Sequence, residues 1–207
     1  MALARTGAAA RPVWTGPALP SGKERHMLYK FCPECGKKLR MRKMWDEGEV
    51  PFCDGCDIAW YEHPAPCIIT LAVNQFEEVA LLRQDYIMEN NYVLVAGYIK
   101  PGETAEETAF REVEEEIGVK LDSISRVRSF AIPEKELLML GYVGFGDKVD
   151  LNLSTEVDSA VWVPAKEALE KLKGSEIAYR ILEAYLEDPE GIRRSADEKR
   201  QFLPERE

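Results

Sequence analysis

The stretch that decides the reading is GYIKPGETAEETAFREVEEEIGV, Gly97 to Val119. Pro101-Gly102 marks a turn. Thr104 stands three residues before Glu107, the spacing of a capping box, so a helix is expected from Thr104 to Ile117. Ala105, Ala109, Val113 and Ile117 recur every fourth residue and lay an apolar stripe along it. Gly118 suits a left-handed stop after Ile117. Glu112, Glu115 and Glu116 are spaced i, i+3, i+4 and project toward one side. At about 100° per residue, Glu116 falls roughly 20° from Ala109, within the apolar stripe, and Glu112 borders it. Adjacent carboxylates repel, and burial raises the cost of charging them. Magnesium or manganese, hard cations that favour oxygen ligands, would relieve both penalties. Composition alone also allows an exposed acidic helix.

Gly97, Glu103, Arg111, Glu112, Val113, Glu115, Glu116, Gly118 and Val119 fill every fixed position of G-x5-E-x7-R-E-U-x-E-E-x-G-U, where U is aliphatic. This pattern resembles the Nudix hydrolase family, over about residues 67–187. The resemblance implies that Glu112, Glu115 and Glu116 bind catalytic Mg²⁺ or Mn²⁺. It also implies that Glu103 and Arg111 form an ion pair fixing the loop against the helix, with Gly97 and Gly118 as structural positions of the box. Glu156, six residues before Trp162, stands where the family supplies a further metal ligand or base; a solvated loop acid is the other reading.

Upstream, Cys32-Pro33-Glu34-Cys35-Gly36 and Cys53-Asp54-Gly55-Cys56 form two C-x2-C pairs with the spacing of a four-cysteine zinc ribbon. Gly36 and Gly55 are expected to ease the two turns. Four thiolates close a tetrahedral shell, so the expected Zn²⁺ is structural. Local disulfides or free thiols are the alternative. Cys67 reads as a buried small hydrophobe, and His26 and His63 as ordinary residues rather than ligands. With the ribbon included, the chain looks most like the zinc-ribbon NADH pyrophosphatase branch of the family. That branch carries SQPWPFP after the box; here Ser129-Phe130-Ala131-Ile132-Pro133-Glu134-Lys135 keeps only Ser129 and Pro133. The box and ribbon therefore imply a reaction class and leave the substrate open among NAD(H), ADP-ribose and FAD-like dinucleotides. Phe130 and Tyr98 could stack a base or pack at a rim.

Around these motifs, strands are expected at 67–73, 79–83, 92–96, 127–132, 137–145 and 160–163, and helices at 165–172 and 176–186. The order indicates an α+β/α/β Nudix fold, a mixed β-sheet sandwiched between α-helices, with the four-cysteine ribbon N-terminal to it. The expected organisation is a flexible extension or vector-derived leader over 1–26, the zinc ribbon over 27–65, the Nudix hydrolase domain over 66–187 and a frayed charged tail over 188–207.

The formal net charge of −10 disfavours broad attraction to nucleic acid, apart from a nucleotide-capped RNA end. The same field repels an anionic nucleotide substrate unless divalent cations offset it. The basic run Lys37 to Lys43 reads as a solvated face or as an RNA contact. No apolar run approaches the roughly 20 residues of a membrane helix. The odd cysteine count and an Ala-rich start broken by Arg5 and Arg11 fit a reduced cytoplasmic protein. The resemblance favours a homodimer. The expected function is pyrophosphate hydrolysis in a nucleoside diphosphate linked to another moiety; a non-catalytic nucleotide sensor or RNA-binding ribbon is the alternative.

Overall fold

The structure, a computed structural model, describes residues 29–84 and 91–200. The leader expected over 1–26 and residues 201–207 of the expected tail lie outside the described residues. The chain divides into two compact units, Met1–Glu62 and His63–Glu207.

In the first unit, β1 (Arg40–Met44), β2 (Gly48–Cys53) and β3 (Ile58–Ala59) form an antiparallel sheet in that order. Cys32, Leu39 and Cys53 form a buried cluster with Tyr29, Cys56 and Trp60 packed against it, and Val50 and Phe52 are buried as well. So small a core supplies little stability by itself. The turns after the two cysteine pairs solve the same problem differently. Gly36 takes a left-handed φ of 70° and its N–H reaches the Cys32 carbonyl at 2.8 Å. In the second pair the left-handed residue is Asp57, at φ 56°, and not the expected Gly55. Gly55 is needed for space instead: a Cβ there would meet the Lys37 side chain at 2.7 Å. Two of the five cations of the basic run, Arg40 and Arg42, are answered within the unit. Arg40 donates twice to Asp54, at 2.5 and 2.7 Å, and Arg42 stacks over Phe52 at 4.2 Å, with Asp57 3.8 Å away.

In the second unit, β4 (Ala65–Val73), β5 (Glu78–Arg83), β6 (Val95–Tyr98), β7 (Leu121–Ile132), β8 (Leu137–Gly146) and β9 (Ser159–Pro164) build a six-stranded mixed sheet. The order is β7-β8-β4-β5-β9, with β4 and β8 parallel and the remaining pairs antiparallel. β5 holds β4 only at Val73↔Val79, while β6 pairs with its beginning from Cys67 to Thr70. The two strands thus share one edge of β4 and diverge along it.

β4 reads as a continuous apolar run because both its faces are buried. Ile69, Leu71 and Val73 enter one cluster with α2 (Ala165–Lys171) and α3 (Glu176–Glu187). Ile68 and Ala72 enter the other, with Ala109, Phe110, Val113 and Ile117 of α1 (Ala105–Ile117). The sheet is therefore covered by helices on both faces, the expected layering. Three expectations change. The strand expected at 92–96 is β6, shifted to Val95–Tyr98, with Val93 making only an isolated bridge to Leu82. Strand β7 begins at Leu121 rather than 127, with an irregularity between Arg126 and Arg128 that breaks the alternation. The segment after Asp188, expected to fray, forms α4 (Pro189–Arg200) with Ala196 fully buried in the α2–α3 cluster. Its apolar content is too sparse to signal a helix, and packing against the sheet decides.

Candidate active site and cysteine cluster

Helix α1 starts and stops as its sequence dictates. Glu107 N–H donates to the Thr104 hydroxyl at 3.1 Å and Thr104 N–H to the Glu107 carboxylate at 2.7 Å, completing the capping box. Tyr142 on β8, buried, donates its hydroxyl to Glu106 at 2.9 Å and ties the first turn to the centre of the sheet. Gly118 ends the helix at φ 71°, its N–H on the Glu114 carbonyl.

The turn before the helix is fixed by Arg111. Its Nε and Nη2 donate to the two oxygens of Glu103 at 2.8 and 2.9 Å, a bidentate pair. The Thr108 hydroxyl and the Lys100 N–H also donate to Glu103. Arg111 first, and these donors after it, hold the Glu103 carboxyl at about 2, far below the carboxylate range. The remaining nitrogen, Nη1, reaches Glu112 at 2.7 Å and Glu115 at 2.9 Å.

The three helix carboxylates differ in environment. The Glu115 side chain is 55% exposed, Glu112 14%, and Glu116 only 4% as a residue. Glu116 thus lies in the apolar stripe where its spacing put it. Gln84 Nε2 donates to Glu116 Oε2 at 3.3 Å, and the Ala96 backbone N–H also donates to the carboxylate. Burial, then the charges of Glu112 and Glu156, push the Glu116 carboxyl up to about 8. A Cβ on Gly97 would collide with the Glu112 carboxylate, so glycine is required there for close approach.

Glu156 is delivered to this place by the loop after β8. Asn152 N–H donates to the Ile117 carbonyl at 3.1 Å and Ser154 N–H to the Glu116 carbonyl at 3.0 Å. These are carbonyls that a helix end leaves without partners. Glu156 follows two residues later, its own N–H on the Ser154 hydroxyl.

Glu112 and Glu156 lie near enough for their charges to act on Glu116, while Arg111 Nη1 holds Glu112 and Glu115. Among the described residues the one group whose ligand atoms all lie within 4.8 Å of one another is Cys32, Cys35, Cys53 and Cys56. The glutamates are not drawn so close. The buried oxygens of Glu116, repelled by the charges of Glu112 and the exposed Glu156, are nonetheless the donor chemistry a hard divalent cation requires. The four sulfurs suit a tetrahedral soft-ligand ion, and Cys35 and Cys53 Sγ stand 3.5 Å apart, near the roughly 3.8 Å edge of a tetrahedron with 2.3 Å bonds. Burial works to raise the Cys32 thiol, yet the Cys35 and Glu34 N–H groups bring it down to about 7. The Cys35 hydrogen bond, then burial, push Cys56 up to about 12. Cys67 is buried in β4, as expected.

A NUDIX domain model matches residues 62–185. The chain belongs to the Nudix family. Its relatives include the NAD-capped RNA hydrolase NUDT12 of Homo sapiens, 29% identical over 74% of this chain and 35% of that protein. The NAD-capped RNA hydrolase NudC of Pseudomonas putida is 28% identical over 76% of this chain and 56% of that protein. The chain thus spans from about a third to just over half the length of these curated relatives. A NUDIX hydrolase from Nitrosomonas europaea shares the fold, with TM-score 0.65 at 19% identity over 77% of this chain and 92% of that one. The NUDIX domain of Shewanella oneidensis NrtR, solved with ADP ribose, aligns with TM-score 0.54 at 14% identity over 62% of this chain and 90% of that one.

Within this Nudix chain, sequence reasoning missed Gln84 and the Asn152–Ser154 loop contacts. Gln84 ends an apolar strand and carries no motif. The loop acts through its backbone, which composition does not report. Phe130 packs partly buried against the core, while Tyr98 stays 60% exposed beside the box. No helix among the described residues is long and apolar enough to cross a membrane.

Proposed function

We propose that this chain is a divalent-cation-dependent pyrophosphohydrolase acting on a nucleoside diphosphate linked to a second moiety. The observation that carries the reading is Glu116, a carboxylate buried in an apolar stripe beside two further acids, Glu112 and Glu156. Burial of that kind is costly without a cation. Glu112, Glu115 and Glu116 would hold Mg²⁺ or Mn²⁺, and Glu156 would serve as a further ligand or as the base. Such an ion, when bound, clamps the pyrophosphate and offsets charge on the leaving oxygens.

The chain's own residues do the rest. Glu103 and Arg111 fix the turn that brings Gly97 against Glu112. The Asn152–Ser154 loop caps the helix end and carries Glu156, which would take a proton from the attacking water. Tyr98, exposed beside the box, is available to stack a base.

The relatives' activity points to NAD-type dinucleotides, free or as the 5′ cap of an RNA, as the substrate class. The four cysteines would hold a structural Zn²⁺, whose thiolate chemistry suits the cytoplasm. The family resemblance favours a homodimer, which sedimentation of the full chain checks. A panel of NADH, NAD, ADP-ribose, FAD, diadenosine polyphosphates and NAD-capped RNA, with Mg²⁺ or Mn²⁺ and product identification, tests the substrate. Metal-dependent release of a nucleoside monophosphate from the dinucleotides supports the reading; no cleavage of any member contradicts it.

A further inference from the structure

Gln84 directly follows β5, and its placement there is unusual for its chemistry. Along β5, Val79 and Leu81 face the α2–α3 cluster, whereas Ala80 and Leu82 face the α1 cluster. Gln84 continues the second series, so it comes beneath α1. It is 2% exposed. An apolar side chain would extend the core at that position without cost, whereas a buried amide needs a partner. The partner is Glu116: Gln84 Nε2 donates to its Oε2 at 3.3 Å.

The site lies where β5 and β6 diverge from β4. Gln84 comes from the end of one strand and the Ala96 N–H from the other, and both donate to the same carboxylate. A carboxylate offers about four lone-pair positions, so two donors orient it and still leave positions for a cation. The donor's charge matters equally. A lysine or arginine would neutralise Glu116 and compete with a divalent ion, and an acid would add to the repulsion from Glu112 and Glu156. A neutral amide orients the carboxylate while leaving its charge available.

We propose that Gln84 is a positioning residue of the divalent-metal site, holding the Glu116 carboxylate ready to accept the cation. This rests on the assignment of Glu116 as a metal ligand made above. The role differs from that of Arg111, which spends formal charge on Glu103, Glu112 and Glu115.

The test compares the full wild-type chain with Gln84→Leu and Glu116→Gln. Mn²⁺ binding is measured by calorimetry on protein stripped of divalent cations at the glutamate site, alongside melting without Mn²⁺ and the Mn²⁺ dependence of dinucleotide hydrolysis. Gln84→Leu is expected to melt as a folded protein and to bind Mn²⁺ about 10-fold or more weakly. Excess Mn²⁺ should then restore most of its turnover, which a general packing defect would not allow. Gln84→Met, which keeps the chain length without the donor, is read the same way should Gln84→Leu not fold. Wild-type Mn²⁺ affinity in either folded variant overturns the proposal, as does failure of both to fold, which would make Gln84 a packing residue. Should Glu116→Gln also bind Mn²⁺ as the wild type does, the metal-ligand assignment itself fails, an outcome distinct from failure at Gln84 alone.

Discussion

The backbone N–H of Ser154 donates to the carbonyl oxygen of Glu116 at 3.0 Å. The residue with the most buried carboxylate on the helix therefore also anchors, through its main chain, the loop that carries Glu156. Helix termination and site assembly are one event, and Gly118 stands between them. Its φ of 71° stops the helix, and a Cβ there would meet the Asn152 Cβ at 2.9 Å. Gly118→Ala is expected to cost about 1–2 kcal/mol for the left-handed backbone alone. Pushing Asn152 away should also displace Glu156 and lower kcat more than KM rises. Melting and steady-state kinetics on the same preparation check this; a destabilised variant with wild-type kcat would separate the loop from the site.

Gly97→Ala makes a sharper steric demand, because the added methyl falls on the Glu112 carboxylate. Misplacing a reacting group by about 1 Å can cost roughly 100-fold in rate. A loss of that order in kcat is expected in a variant that still folds. Near-wild-type turnover would show that the Glu112 carboxylate does not need this position.

The Glu116 carboxyl, raised from 4.5 to about 8 by burial and by its acidic neighbours, makes stability depend on pH in protein without a divalent cation. Between these values the unfolded chain has lost the proton that the folded chain keeps, so folded-state stability falls as pH rises from 4.5 toward 8. Glu116→Gln should remove this part of the slope. Metal binding requires the ionised carboxylate, so Mn²⁺ affinity should climb over the same range. Melting temperatures across pH 5–8.5, on the order of the window set by that shift, give the comparison. An identical slope in the variant would place the titration elsewhere.

Helix α1 was the most legible part of the chain. The capping box at Thr104 and Glu107, the stripe from Ala105 to Ile117 and the position of Glu116 within it all follow from helical spacing, and all three stand in the fold. Side chains at fixed spacing on one helix are legible because the helix alone sets their geometry. Gln84 and Glu116 are 32 residues apart and meet only through the sheet. The capping of α1 by Asn152 and Ser154 is main-chain work, and no residue type announces it. Gly55 reads as easing its turn, yet the left-handed residue there is Asp57, and what glycine supplies is space beside Lys37. Helix α4 was unreadable for a related reason: its sequence is mostly charged, and one buried alanine, Ala196, marks its packed face.

The ribbon offers an independent check. Two of the five buried hydrophobic residues described in it, Cys32 and Cys53, are themselves cysteines of the cluster, and Leu39 is the one other buried residue packed with them. Cys53→Ala or strong chelation should therefore unfold residues 29–62 as metal is lost. The second unit has its own two-sided core and should keep its helical signal. One zinc per chain, lost in Cys53→Ala together with the ordered signals of the ribbon, is the expected result of metal analysis and NMR. A ribbon that stays folded without metal would contradict it.

On the proposed function, Glu116 is buried to hold a cation that drives pyrophosphate cleavage. The most direct measurement is single-turnover hydrolysis of NADH by wild type and Glu116→Gln, with Mn²⁺ present or chelated from the glutamate site. Metal-dependent formation of two mononucleotides is expected from the wild type, with a rate reduced by at least about 100-fold in Glu116→Gln while its fold persists. Wild-type rates in Glu116→Gln, or cleavage indifferent to the divalent cation, would contradict it.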